Sequence, residues 1–498
     1  MTIAEATPPR TLSMQEYEQI WRPAGWRLVI IGPTSTWRQD WGMWEAIRDI
    51  IQNSLDECET YDWGYDDQGL YISDTGRGIA VENILLGPPK LKPDYARGRF
   101  GEGMKIAALV ILREGYRVRI ETVGRELHMA FVTTEVDGHV EQLGALWRPD
   151  GTNRGTVFHI EGYFGPAYED HFVTNIPAEA IIHEGVSTVT EPVQRYNQLI
   201  AHPAGRIYAR DIYMRDINSP WSYNLWGFEM APDRHAPTDE RDLHREMGRL
   251  WATVRDTALL QQFLSMVQYP PAQPWGEYPW DEYSMVDMTS MGWMPDGTPY
   301  SHMMVAAKEL WQSAWRSTFG DNVVLRTNAR LDNIVRHLDY VPQSVAWAVE
   351  PALAKVVPTD QTLIKESQDR LRDAKVVPDD ELDEVQRRHL ELARNIGDKV
   401  CTHLGYADTP IHAAFIPPAS DRTRTAGMYN RVTREILISP DRLTKARYMI
   451  DTLIHELAHR LSGEDDLTEG HSSMMTEVAA EVVSLVQRGQ FDMRGVLW

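Results

Sequence analysis

The apolar positions in the first third of the chain switch between helical and strand spacing. The stretch MWEAIRDIIQNSLDE spaces its apolar residues along one face of a helix, whereas GLYISD, YRVRIETV and GTVFHIEGY have the short apolar pattern of strands. A glycine-rich run, GRFGEGMKIAALVI, leads into a second helix. Helices that alternate with strands in this way predict an α/β sandwich, which we place at residues 1–185.

The pattern changes several times after this region. The strand-like GRIYARDIYMR and the helical TDERDLHREMGRLWATV, with Thr238 as its N-cap, predict a second α/β module at 186–268. Residues 269–302 are rich in Pro, Trp, Tyr and Met and have no sustained period, which indicates a connector. A further α/β segment is expected at 303–357.

The last segment, 376–498, has the pattern of an α+β domain. The run REILISPDRLTKARYMIDTLIHELAHRLSG predicts an edge strand, a turn and a helix. A helix that leads into the domain is marked by four apolar positions, Leu382, Val385, Leu392 and Ile396. The buried side of the later turn and helix is marked by five, Leu443, Ile450, Leu453, Leu457 and Leu461. The predicted fold class is therefore multidomain, α/β followed by α+β.

Composition narrows the function classes. A length of 498 residues with 43% hydrophobic content can fill several cores, and a formal net charge of -22 disfavours nucleic acid because it repels the phosphate backbone. Cys58 and Cys401 are too few for a disulfide framework, which favours a cytoplasmic protein. No run approaches the roughly eighteen apolar residues of a membrane span, and the opening MTIAEATPPRTLSMQEY lacks the apolar core of a signal peptide.

Polar and glycine-rich motifs in the first segment have the chemistry of a nucleotide site. Asn53 lies on the first helix, where its amide oxygen could bind a magnesium ion that phosphates also hold. Asp49, one turn earlier, could orient an attacking water, and Glu45, a further turn back, could share that role. The glycines of GRFGEGMK precede a helix whose free backbone N–H groups suit a phosphate.

The motifs RDIIQNSLDECE, SDTGRGI, GRFGEGMK and RGTVFHI resemble those of the GHKL ATPase superfamily of gyrase, MutL-type mismatch-repair proteins, heat-shock chaperones and histidine kinases. The resemblance implies a Bergerat-type sandwich followed by a transducer-like module, with LLGPPKLKPDYAR as a lid. It implies that Asp74 accepts the adenine amino group and that Thr156 closes the adenine pocket. The implied ATP-binding set is Asn53, Asp74, Gly76, Gly78, Gly98, Gly101, Gly103, Lys105 and Thr156.

The resemblance carries three further expectations. The family usually has Glu at the position of Asp49, so the shorter carboxylate implies slow hydrolysis. A basic residue of the second module would reach the terminal phosphate, and the candidates are Arg210, Arg215 and Arg234. A homodimer would form when ATP closes the lid.

The stretch LIHELAHRLSGEDDLTEGH, at 453–471, has the chemistry of a zinc site. His455 and His459 are four residues apart on a helix, so their imidazoles share a face and can bind one Zn²⁺, with Glu456 beside them as a general base. A catalytic zinc needs a third protein ligand and an open position. His471 is the first candidate for that ligand, and three alternatives stay open: Glu477, Asp465 and Asp466.

The helix and the strand before it resemble the zincin metallopeptidases, and EGH at 469–471 resembles the third-ligand segment of SprT-like zincins, with a shorter loop. Together the two resemblances imply an ATP-controlled zinc metallopeptidase that acts on a protein or peptide substrate. Two other functions stay open. One is a nucleotide-switched, chaperone-like or binding protein with a structural or degenerate zinc domain, and the other is a GHKL nucleic-acid remodeller, which the negative charge disfavours.

Overall fold

The computed structural model describes residues 7–79, 96–97, 103–135, 139–149, 155–189, 194–231, 236–268, 286–419, 424–431, 433–464, 466 and 468–491. The chain divides into two compact units of mixed α/β structure: the first joins residues 1–254 to 279–300, and the second joins 255–278 to 301–498. The finer five-segment division stays a prediction. None of the helices in the described ranges combines the length and apolarity that a membrane crossing requires.

An eight-stranded sheet forms the core of the first unit. Its strands are β1 (Thr11–Ser13), β2 (Arg27–Thr34), β3 (Asp62–Tyr65), β4 (Gly69–Asp74), β5 (Arg117–Thr122), β6 (Arg125–Glu135), β7 (His139–Pro149) and β8 (Thr156–Glu161). They lie in the order β2-β7-β6-β5-β8-β4-β3, with every neighbouring pair antiparallel, and β1 pairs in parallel with β6. The three predicted strands of this region are β4, β5 and β8, and β4 and β5 both pair with β8.

Two helices of this unit carry the candidate nucleotide residues. They are α2 (Met43–Cys58) and α3 (Gly103–Arg113), and a single turn, α1 (Met14–Glu16), precedes them. The predicted amphipathic pattern of α2 is confirmed, since Ile47, Ile50 and Leu55 are at most 1% exposed and join a core with α3 and the sheet. Burial of each such side chain stabilises the fold by about 1.5–3 kcal/mol. Because the apolar face of α2 packs into this core, the polar face of the same helix points away from it.

The first unit contains a second, five-stranded sheet. It contains β9 (Ile181–Val189), β10 (Arg195–Ile200), β11 (Arg206–Ala209), β12 (Ile212–Asp216) and β13 (Ser222–Leu225), in the order β12-β11-β13-β10-β9, and α4 (Glu240–Thr253) packs on it. The predicted N-cap of α4, Thr238, is wrong. Asp239 is the N-cap, because its extended backbone lets its carboxylate accept the N–H of Arg241 at 2.9 Å.

An ion-paired carboxylate on the large sheet gives the first unit a testable pH dependence. Glu126 accepts hydrogen bonds from His128 (2.9 Å) and Arg148 (2.8 Å), and these contacts outweigh burial and lower its pKa from 4.5 to about 2. Because the folded pKa lies below the unfolded value, the contribution to stability is present above about pH 4.5 and is lost as the pH falls toward 2.

We therefore expect Glu126→Gln to lower the free energy of unfolding by up to about 3 kcal/mol at pH 7, with a smaller difference from wild type at pH 3. Urea unfolding of both proteins at the two pH values measures this. Glu179→Gln, at an exposed residue of the same unit, is the control and should match wild type at both. A wild-type advantage that is equal at pH 7 and pH 3 would contradict the pairing of Glu126.

The second unit begins with helices around a short sheet. The helices are α5 (Thr257–Val267), α6 (Tyr300–Ala306), α7 (Lys308–Phe319), α8 (Asp332–His337), α9 (Glu350–Leu353) and α10 (Asp360–Arg372), and the two parallel strands are β14 (Val323–Leu325) and β15 (Val341–Gln343). α5 packs against α7, and the indole of Trp315 donates to the Val323 carbonyl at 2.9 Å. Short π or 3₁₀ turns lie at Tyr17–Trp21, Glu169–His171, Val173–Asn175, Ala178–Ala180, Ala329–Leu331, Asp379–Glu381 and Arg442–Thr444.

A four-stranded sheet and three helices end the second unit. The strands are β16 (Lys375–Val376), β17 (Ile411–Phe415), β18 (Gly427–Asn430) and β19 (Glu435–Ile438), in the order β16-β17-β19-β18. The helices are α11 (Glu384–His403), α12 (Ala446–Ser462) and α13 (Glu469–Gln487). They share a core that includes Leu390, Ile438, Leu453 and Val482.

Two local predictions for this domain are wrong. The strand REILI, now β19, is not an edge strand, because it pairs with β17 on one side and with β18 on the other. The predicted apolar stripe of α11 also starts too early. Leu382 precedes the helix and Val385 is 41% exposed, whereas Leu382, Leu392 and Ile396 all lie in the core as expected.

A candidate metal centre and a candidate nucleotide site

Helix α12 positions two histidines of the candidate metal centre. Its apolar residues Leu453, Leu457 and Leu461 face the core. His455 and His459 lie on a different face of the helix, which points away from that core. The two imidazoles meet through their Nε2 atoms, which lie 3.2 Å apart. The spacing of four residues therefore places both rings on one face, as predicted.

Helix α13 supplies a third histidine at its first turn. Thr468 caps this helix, and its hydroxyl accepts the backbone N–H of His471 at 3.1 Å. The His471 ring stacks on His459 with ring centroids 4.1 Å apart, and its Nε2 is buried without a hydrogen-bond partner among the described residues. Burial lowers the pKa of His471, which favours the neutral ring that a metal ion requires.

Asp466 brings a carboxylate to the same point. Its Oδ1 lies 3.1 Å from Nε2 of His455, 3.0 Å from Nε2 of His459 and 3.9 Å from Nε2 of His471. Burial alone would raise the pKa of Asp466, but its hydrogen bonds to His455 and His459 outweigh burial and hold that pKa far below its ordinary value. The same contact raises the pKa of His455.

These four side chains could hold one metal ion, since their donor atoms all lie within 4.8 Å of one another. In a tetrahedral zinc site with Zn–N distances near 2.0–2.1 Å, neighbouring donors are about 3.3 Å apart. The separations of 3.0, 3.1 and 3.2 Å among Asp466, His455 and His459 are close to that value, and the 3.9 Å between Asp466 and His471 is longer. The mixture of imidazole nitrogen and carboxylate oxygen is also one that zinc accepts.

A backbone contact orients one of the histidines. Nδ1 of His459 donates to the Glu464 carbonyl at 2.9 Å, so Nε2 is the nitrogen directed at the other donors. The Glu464 N–H donates to the Ser462 hydroxyl at 3.1 Å, which positions this part of the backbone. Supporting hydrogen bonds of this kind set the tautomer of metal-binding histidines.

Glu456 lies beside the cluster on α12 and is 6% exposed. Its Oε2 accepts the backbone N–H of Tyr429, on β18, at 2.8 Å. Tyr429 faces Ile436 in the β18–β19 pair, and Ile436 donates to the Pro410 carbonyl, so the Tyr429 N–H points away from β19. Burial raises the pKa of Glu456, which brings this carboxyl group closer to the neutral range that suits a general base.

Tyr429 and β18 are the site elements that sequence reasoning missed. A signal was present, because two short apolar stretches, GMY and EILI, flank a polar NRVTR that suits a hairpin connection. Gly427 lets the strand approach α12, since a Cβ there would come within 2.5 Å of Thr452 Cγ2 and 3.0 Å of Glu456 Cγ.

The alternatives for the third ligand differ in whether they lie near His455 and His459. His471 and Asp466 both belong to the donor cluster. Glu477 is exposed on α13 and does not belong to it, while Asp465 lies outside the described residues.

In the first unit, Asp49 meets the start of α3. The Asp49 carboxylate is buried, and its Oδ1 accepts a hydrogen bond from Arg48 Nε at 3.1 Å. A Cβ at Gly103, the first residue of α3, would overlap that carboxylate, so the glycine lets Asp49 approach the start of α3. Gly98 and Gly101 lie outside the described residues.

Asn53, Glu45 and Lys105 have separate environments. The Asn53 amide donates to the Asp49 carbonyl at 2.8 Å, which fixes its side chain beside Asp49. Glu45 accepts the N–H of Gly42 at 2.9 Å and so caps α2. Lys105 is buried in the first turn of α3 rather than solvated.

The predicted adenine-binding residues come together at the end of β4. Asp74 accepts hydrogen bonds from the Ser54 hydroxyl (3.1 Å) and the Gly76 N–H (2.9 Å), and it faces Thr156 across the β4–β8 pair. Burial raises the pKa of Asp74. Gly78 has a φ of 80°, and a Cβ there would lie 2.8 Å from the Thr122 hydroxyl, so both conformation and space require glycine.

The predicted phosphate-reaching arginines differ in their surroundings. Arg210 lines a cavity of about 40 Å³ together with Arg48, Gln52 and Arg97. Arg215 forms an exposed ion pair with Glu240 at 2.6 Å. Arg234 lies outside the described residues. Of the two that the structure describes, Arg210 shares a cavity with Arg48 and Gln52 of α2, the helix that carries Asp49.

Comparison with known proteins adds no relative to this geometry. No family model matches the chain, and none of the curated proteins matches it.

Proposed function

We propose that this protein is a zinc metallopeptidase whose activity depends on ATP bound by the first unit. The observation that carries the proposal is the convergence of His455, His459, His471 and Asp466 within 4.8 Å, with the buried carboxyl group of Glu456 on the same helix. A purely structural zinc site has no need of a base beside its ligands.

The chain's own residues support hydrolysis of a peptide bond. His455, His459 and His471 would hold the ion through Nε2, with Asp466 close by. A bound zinc ion would act as a Lewis acid that makes water nucleophilic at neutral pH. Glu456 would take the proton from that water and deliver it to the leaving amine, and the Tyr429 N–H holds its carboxylate in position.

The nucleotide part of the proposal is supported by contacts around α2. Asp49 faces the N-terminus of α3, where free N–H groups favour a phosphate, and Asn53 lies beside it for a magnesium ion. Asp74 and Thr156 lie together beside Ser54 of α2 and would hold the adenine. A Cβ at residue 76, 78 or 103 would meet the chain's own side chains, so glycine at these positions permits close packing of the segments around α2.

One observation favours the second candidate, a nucleotide-switched binding or chaperone-like protein with a structural zinc domain. Asp466 would complete a set of four protein donors, and structural zinc sites are closed in this way. The buried Glu456, held by Tyr429, favours the peptidase.

Zinc content and casein cleavage test the peptidase directly. Protein purified without added metal should contain one zinc per chain and digest casein. His471→Ala should weaken zinc binding by more than about 100-fold. Loss of a residue that only hydrogen-bonds a metal ligand already weakens metal binding by up to about 100-fold, and loss of the ligand itself should cost more. Glu477→Ala, on the exposed side of the same helix, is the matched control and should keep wild-type zinc and activity. Metal-free wild type, or the reverse order of the two variants, would overturn the assigned ligands.

A further inference from the structure

The position of Asp466 has a consequence for how a peptidase centre would work. Its Oδ1 lies 3.0–3.1 Å from two imidazole nitrogens and 3.9 Å from the third, on the side where the three Nε2 atoms converge. Three histidines leave one tetrahedral position, which a catalytic site keeps for water. A carboxylate oxygen at this place would fill that position.

We propose that Asp466 is a displaceable fourth ligand that keeps the metal centre latent, an inference that rests on the proposed peptidase function. The centre opens when the Asp466 oxygen leaves and a water oxygen or a substrate carbonyl takes its place. Only one coordinate bond is exchanged, so the step needs no oxidant or reductant. Departure of Asp466 also removes a negative charge, and the ion then polarises a neutral ligand more strongly.

Asp466 is suited to be the ligand that leaves. Its side chain is 24% exposed, which is more than His459 (15%) and His471 (3%) but less than His455 (34%), so solvent reaches the position that it vacates. His455 and His459 are carried by one long helix, and His471 is buried at the start of another. The three histidines are thus held by regular elements, whereas Asp466 lies in the connection between the two helices.

Cobalt substitution tests this without relying on peptidase activity. The absorption spectrum of bound Co²⁺ reports its coordination, and acetohydroxamate is a small anion that needs an open position. In the full-length cobalt protein, we expect acetohydroxamate to bind at least tenfold more tightly to Asp466→Ala than to wild type. Asp466→Ala should still bind one Co²⁺ through its three histidines. Glu469→Ala, which removes a nearby exposed carboxylate, is the control and should match wild type.

Two results would overturn the proposal. Equal hydroxamate affinity in wild type and Asp466→Ala would mean that Asp466 does not block the position. Loss of cobalt from Asp466→Ala would make Asp466 a permanent ligand. If Asp466→Ala fails to fold, Asp466→Asn keeps the shape without the charge, and the same tenfold criterion applies to it.

Casein assays on the same proteins separate this proposal from the peptidase function. A latent peptidase predicts faster cleavage by Asp466→Ala than by wild type. If neither protein cleaves casein but the hydroxamate difference is found, the peptidase function fails and the fourth-ligand role stands. If both cleave it at the same rate and hydroxamate binds equally, the peptidase function stands and latency fails.

Discussion

Glu456→Gln is expected to keep one zinc per chain and to lower the rate of peptide cleavage by about 10²–10⁴-fold, the usual contribution of a general base. The amide cannot accept the proton that a carboxylate takes from water. Its carbonyl oxygen can still accept the Tyr429 N–H, which now bonds Oε2 at 2.8 Å, so the side chain should stay in place. Zinc analysis and casein digestion of the same preparation measure both expectations.

A second glutamate of the domain provides the matched control. Glu477→Gln makes the same chemical change at an exposed position of α13 and should cleave casein at the wild-type rate. Cleavage by Glu456→Gln at the wild-type rate would assign the base to another residue. Loss of zinc from Glu456→Gln would instead show that its carboxylate supports the metal centre, and the variant would then say nothing about proton transfer.

The metal centre shows what sequence could predict. Two of its candidate ligands, His455 and His459, lie four residues apart on one helix, so their approach follows from local geometry. His471 was also identified from its local segment, and it lies in the first turn of the next helix, after the cap at Thr468. The sequence left Asp466 as one alternative among three, because its position depends on how the connection between two helices folds.

Contacts between distant segments were not predictable in the same way. The hydrogen bond from Tyr429 to Glu456 requires β18 to lie at the edge of the sheet and next to α12. Strand order is set by pairing across the whole domain, and the apolar pattern of REILI is as compatible with an edge as with the interior position that β19 occupies. The sequence therefore placed the wrong strand at the edge.

In the first unit, too, the regular elements were predictable and the contacts between them were not. The apolar face of α2 and the strands β4, β5 and β8 were predicted from periodicity, because each is buried along a regular face, whereas α3 was expected from the glycine-rich run before it. The approach of Gly103 to Asp49 depends on how the two helices pack, and the sequence indicated only that a glycine stands before a helix. The N-cap of α4 was misplaced by one residue, since Thr238 and Asp239 are both good capping residues.

Asn53→Ala is expected to abolish binding of magnesium-ATP, and Asp49→Asn to keep binding while slowing hydrolysis by about 10²-fold or more. Asn53 would provide the oxygen that joins the metal ion to α2. Asp49→Asn preserves the shape that fits against Gly103 and removes only the charge that would orient the attacking water. Titration calorimetry measures binding, and phosphate release measures hydrolysis. Gln198→Ala, on a separate strand of the same unit, should match wild type in both assays.

The same two variants test whether ATP controls the peptidase. ATP can change the cleavage rate only if it binds one conformational state more tightly than another. Because Asn53→Ala should no longer bind ATP, its casein-cleavage rate should not respond to ATP. Asp49→Asn holds ATP without consuming it, and its rate with ATP should stay at the ATP-bound value for longer than in wild type. Both effects must come from the nucleotide, because neither residue belongs to the metal centre. Equal cleavage rates for wild type and both variants, with and without ATP, would mean that the chain carries two independent activities.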